Sequence, residues 1–96
     1  MTKPKAIIVG GKPFNVPRQL HLYFDVVLHI HQDKTRSFTI RPCNIVIVIR
    51  DFISHKAMAR VVDQLKRIDE RIPIVAARVG WAHLYTELVR RNLLPQ

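Results

Sequence analysis

A chain of 96 residues with 48% hydrophobic content makes one small domain, and its longest aliphatic run is far short of the ~20 residues a membrane span needs. The single Cys43 excludes an intramolecular disulfide framework, and no internal repeat or low-complexity tract is present. Sixteen Lys and Arg against seven Asp and Glu leave a net charge of +9. Such a surplus repels itself in a small monomer and is most simply understood with an anionic partner.

The elements alternate along the chain. Lys5 to Gly10 reads as a short first strand, closed by Gly10-Gly11. Asn15-Val16-Pro17 reads as a helix start, because proline at a first turn loses no hydrogen bond. Arg18 to Phe24 is the predicted short helix, with Leu20 and Phe24 on one face. Val26 to His31 is a second strand. Gln32 to Cys43 gives the weakest signal, with Thr35 as a candidate cap for one or two helical turns.

Asn44 to Ile49 is the third strand, and its unbroken run of aliphatic residues has the character of a strand buried on both faces. Ser54 is a good N-cap for a helix reaching about Ile68. In it Met58, Val61, Val62, Leu65 and Ile68 form the expected buried stripe, with Lys56, Arg60, Asp63 and Arg67 outside. Ile72 to Arg78 is a fourth strand, and Pro73 argues for an edge position because it cannot donate to a ladder. Trp81, Leu84, Tyr85 and Leu88 mark a last helix.

Four strands with intervening helices imply a three-layer α/β domain over residues 1–96, mainly parallel, of the Rossmann-like or flavodoxin-like kind. Right-handed crossovers and the doubly buried third strand favour strand order 2-1-3-4. That order makes strands one and three neighbours with their helices on opposite faces, so the crevice between their C-terminal ends is the switch point where such sheets place ligands. Gly10, Gly11 and Lys12 are expected on one side of it, and Arg50, Asp51, Ser54 and His55 on the other. Arg78, at the end of the fourth strand, is a further candidate ligand-binding residue.

These residues carry a resemblance. Val9-Gly10-Gly11-Lys12 after a first strand, then a strand ending in Asp51-x-x-Ser54-His55 and a basic helix, resembles the bacterial domain of unknown function 2325. Ala57-Met58, Arg60-Val61, Pro73, Arg78 and Gly80 continue the likeness over nearly the whole chain. It departs in the middle, where members carry a His-His and a glycine pair and this chain reads His29-Ile-His31-Gln-Asp33. The resemblance implies a Rossmann-like fold with a polar switch-point site and no assigned activity.

The chemistry of the motifs favours binding over catalysis. Gly10-Gly11-Lys12 fits either a phosphate-approach loop or a tight turn, but neither a Walker A loop nor a G-x-G-x-x-G fingerprint. Ser54 at an N-cap commits its hydroxyl to backbone amides, and a helix N-terminus favours a neutral His55. No nucleophile, base and orienter are therefore complete, and no catalytic residue is assigned. Binding of an anion by the helix end, Ser54 and Lys56 is the stronger reading, with Asp51 tying down Arg50, Lys12 or a ribose hydroxyl. His29 and His31 share a strand face and could recruit Cys43, Asp33 or His55, yet they lack metal-ligand spacing; no metal and no cofactor are expected.

Arg18, Lys34, Arg36, Arg41, Lys56 and Arg60 bracket the strand C-terminal edge and the middle loop, with Phe14 and Phe38 among them. Rings beside arginines are what single-stranded nucleic-acid grooves use, although either ring also suits the core. The expected function is a basic, anion-binding module, with nucleic acid as partner ahead of a phosphate-bearing nucleotide or cyclic-nucleotide second messenger. A phosphoester hydrolase is the third reading. No membrane partner is expected, a homodimer would suit so small a domain, and the lone cysteine with no signal-peptide pattern reads as cytoplasmic.

Overall fold

The computed structural model describes residues 2–34 and 38–95. Strands β1 (Lys5–Val9), β2 (Asp25–Ile30), β3 (Ile45–Ile49) and β4 (Ile74–Ala77) form one parallel sheet in the order β2-β1-β3-β4. Helices α1 (Leu20–Tyr23), α2 (His55–Ile68) and α3 (Trp81–Arg90) complete the three layers. This is the topology expected from the sequence, a Rossmann-like α/β domain.

Alternation along the strands sorts the core into two halves. Ala6, Ile8, Ile45, Ile47, Ile49, Val75 and Ala77 face the layer of α1 and α3, meeting Leu20, Phe24, Leu84 and Leu88. Ile7, Val9, Val46 and Val48 face α2, meeting Val61 and Leu65 together with Ile40. All five residues of β3 are buried because helices cover both of its faces and strands cover both of its edges.

Local chemistry sets the helix bounds. Ser54 Oγ accepts the Ala57 N–H at 3.1 Å and starts α2, as an N-cap serine should. The buried stripe of α2 is Ala57, Val61 and Leu65, flanked by the half-buried Met58, whereas Ile68 is 36% exposed. The expected stripe is therefore turned toward Ala57, and Ile68 stays outside the cluster that α2 forms with the sheet. The first helix is shorter than the predicted 18–24. Pro13 and Pro17 impose tight turns, with i+3 bonds from Leu20, His21 and Leu22, before one turn of α-helix at Leu20–Tyr23.

Beyond β2, Gln32–Lys34 forms a single tight turn. The candidate cap Thr35, with Arg36, lies outside the described residues. Phe38 to Asn44 has no regular structure, and the Gln64 side chain fastens it to α2. Gln64 Nε2 donates to the Phe38 carbonyl at 2.7 Å, and its Oε1 accepts the Ile40 N–H at 2.6 Å. Pro73 precedes β4, where its carbonyl accepts the Val46 N–H at 3.0 Å, and β4 is an edge strand. On α3, Trp81 stacks on Tyr23 at 5.8 Å between centroids and so joins that helix to α1.

Candidate nucleic-acid interface

Sheet order determines which loops meet. After β1 the chain turns through Gly10 (φ 97) and Gly11 (φ 72), both buried. A Cβ on Gly10 would stand 3.0 Å from the Ile49 carbonyl oxygen and 3.5 Å from that of Phe52. The loop after β1 therefore rests directly on the loop after β3, and the two expected walls of the switch point touch. Their polar groups are engaged: Gly10 N–H donates to Ile30 O at 2.9 Å, and Lys12 N–H donates to Asn15 Oδ1 at 2.9 Å. A space of about 10 Å³ among Asn15, Pro17, Ile49, Arg78 and Gly80 would hold no more than a single water. The positive φ at both glycines is what the tight strand-to-helix turn requires.

The remaining switch-point residues take separate positions. Asp51 Oδ2 accepts the Val79 N–H at 2.8 Å, latching the loop after β3 to the turn after β4. That amide, rather than Arg50 or Lys12, is what Asp51 ties down. Ser54 is committed to its cap, as the hydrolytic reading required it not to be. Arg50, Ser54 and His55 line a cleft of about 390 Å³ beside Met58 and Ala76. Arg50 also lines a neighbouring cleft of about 230 Å³ with Arg78, His83, Thr86 and Glu87. Glu87 is paired with Arg90 at 2.7 Å, and this hydrogen bond, aided by Arg91 and Arg50, lowers its carboxyl below the ordinary range.

A third cleft, about 430 Å³, opens at the end of β2, lined by His29, His31, Lys34, Phe38 and Arg41. Its described lining contains no carboxylate. Sequence reasoning placed Lys34 and Arg41 with Phe38 but assigned the two histidines elsewhere. Their i, i+2 spacing on a strand whose C-terminal end carries Lys34 was the available signal. His83, Thr86 and Glu87 were missed because only the apolar positions of α3 were read. Arg18, Lys56 and Arg60 are exposed and line none of these clefts.

His29 joins this cleft to the loop after β1. Its Nε2–H donates to the Gly10 carbonyl at 2.9 Å, and its ring lies 4.6 Å from that of His31. Among the described residues, no third His, Cys, Asp or Glu joins the pair to make a metal-binding group. Partial burial lowers the His29 pKa below 6.5, the nearby His31 lowers it further, and the Gly10 bond opposes both. The unfolded chain then binds more protons than the folded one as pH falls through 6.5. Stability is full above that value and is lost on acidification toward the lowered folded value. We expect His29→Gln, which keeps a donor for Gly10, to flatten the fall in Tm between about pH 7 and 5. Superimposable Tm profiles for the two proteins would contradict it.

Cys43 is half-buried, and burial raises its thiol above the ordinary range, opposing a nucleophilic role. No helix among the described residues is long and apolar enough to cross a membrane. No protein-family model matches the chain, and neither a curated protein nor a solved structure shows significant similarity to it.

Proposed function

We propose that the domain binds nucleic acid through its phosphates, along the C-terminal edge of the sheet and the basic loops beside it. One observation carries the reading. In sheet order, the C-terminal ends of the strands are followed by Lys34 after β2, Lys12 after β1, Arg50 after β3 and Arg78 after β4. All four are exposed, and none is held in an ion pair among the described residues.

Geometry supports a polyanion over a single phosphate. Four adjacent strands at ~4.8 Å spacing spread these cations over about 14 Å. In a duplex the phosphates of one strand rise ~3.4 Å each along the axis, so a row of this length reaches beyond a single phosphate to its neighbours. A lone nucleotide would use only one end. The cleft at Ser54 and His55 is lined by neither Gly11 nor Lys12, which weighs the same way.

Fluorescence anisotropy with a labelled oligonucleotide tests the proposal. Lys34→Ala and Arg78→Ala should each weaken binding uniformly across sequences and reduce the salt slope by about 0.7. Unchanged affinity in both variants would reject this edge as the contact. A thermal-shift screen with mono- and cyclic nucleotides separates the sensor reading, because a saturating ligand raises stability by RT ln(1 + [L]/Kd). A rise in Tm with one nucleotide, and no retention of an oligonucleotide, would favour the sensor.

A further inference from the structure

Phe14 is 82% exposed, the most exposed of the large hydrophobic side chains. The other phenylalanine set among the cations, Phe38, packs instead against the core beneath α2. Phe14 is not on a loose loop. Pro13 fixes the backbone before it, Asn15 N–H donates to Lys12 O at 2.8 Å, and Val16 N–H donates to Pro13 O at 3.2 Å. Asn15 Oδ1 returns a bond to the Lys12 N–H, and its Cβ lies so close to Gly11 that a side chain there would meet it at 3.0 Å. The turn is fixed from both sides, yet its largest side chain faces water.

The position along the sheet edge gives that ring a setting. Gly11 O accepts the Gln32 N–H at 3.1 Å, so the turn adjoins the loop carrying Lys34. Asn15 and Pro17 pack beside Arg78 and Gly80, so its other flank adjoins the loop after β4. The turn that carries the ring therefore adjoins the loops of Lys34 and Arg78, with exposed Lys12 and Arg18 on either side of the ring in sequence. Cations around a single presented ring are what a nucleic-acid strand uses: charge for its phosphates and a flat face for a base.

We propose that Phe14 is a stacking platform for an unpaired base, which makes single-stranded nucleic acid the preferred ligand of this edge. The inference rests on the phosphate-binding reading above and adds the strand state of the ligand to it. Duplex bases are stacked on one another and do not offer their faces, so Phe14 contributes only to single-strand binding. Because the turn is already ordered, little conformational freedom is lost when the base docks.

Fluorescence anisotropy with a labelled single strand of ~12 nucleotides, and a duplex of the same length, tests it. Phe14→Ala should raise the single-strand Kd roughly ten- to hundredfold, while Phe14→Trp keeps it within a few-fold. The duplex Kd should stay unchanged in both. The variants remove or replace an exposed ring, so folding is not at issue, and urea melts of both provide the check. If Phe14→Ala leaves the single-strand Kd unchanged while Lys34→Ala weakens it, the stacking role is overturned and the phosphate reading stands. Equal losses on single strand and duplex would also overturn it. Sedimentation velocity covers a protein contact: reduced self-association of Phe14→Ala, with nucleic-acid binding intact, would make the ring an interface residue and overturn the proposal. Failure of the wild-type protein to bind either form would remove both readings together.

Discussion

Ile47→Ala is expected to lower stability by about 3–4 kcal/mol, a large part of the ~5–15 kcal/mol that holds a domain of this size together. Ile47 lies at the centre of β3, is 1% exposed, and packs within the cluster under α1 and α3. Truncation removes three methyl or methylene groups and leaves a cavity, because strands on both sides prevent β3 from shifting inward. At roughly 4–8 °C per kcal/mol for a domain under 100 residues, Tm should fall by about 15–25 °C. Thermal unfolding by circular dichroism measures this directly. A loss below about 1 kcal/mol would mean that β3 is not the doubly covered strand described above.

Gly10→Ala carries the second large effect. At φ 97 an L-residue is strained, at a cost of about 1–3 kcal/mol. The new Cβ would also stand 3.0 Å from the backbone oxygen of Ile49, a residue that the ladder between β3 and β4 holds in place. Together these should cost about 3 kcal/mol or more. Gly80→Ala provides the comparison. Its φ of 113 is equally unfavourable, but its nearest neighbour would be a His83 side-chain atom at 3.7 Å. The difference between the two variants in urea denaturation therefore isolates the close approach of the first loop to β3. Equal losses would contradict the contact between the loops at the switch point.

The fold was legible because its signals are local and mutually consistent. Ile45 to Ile49 announces a strand buried on both faces, Ser54 announces a helix start, and right-handed crossovers then leave few strand orders. Boundaries were less legible where two local rules compete. Pro17 suits a helix start, but with Pro13 it produced tight turns, and α1 began at Leu20. The α2 stripe was misplaced because periodicity names a face and not where the sheet beneath it stops. Leu65 joins the cluster of Val46 and Val48, while Ile68 is left 36% exposed.

The candidate site was legible as a location and not as a cavity. Topology brought Gly10 against Ile49 and Phe52, as the sequence implied. Whether such a meeting leaves a crevice depends on ångström-scale packing that residue types do not encode. Here the backbones meet, and the open clefts lie to either side, at Lys34 and Arg41 and at Arg50 and Arg78. Asp51 shows the same limit, since nothing in the sequence designates the Val79 amide, 28 residues away, as its partner. Phe14 and Phe38 were indistinguishable in sequence, and only the fold packed one partly against the core, at the wall of a cleft, and presented the other fully.

The central claim is that four cations in a row along one sheet edge bind the phosphates of a nucleic-acid strand. The most direct test is the Kd for a single strand measured across salt concentration at fixed pH. Four contacts on a single strand predict a log–log slope of about −3. A Kd that stays constant from low to high salt would contradict the claim, whatever the affinity.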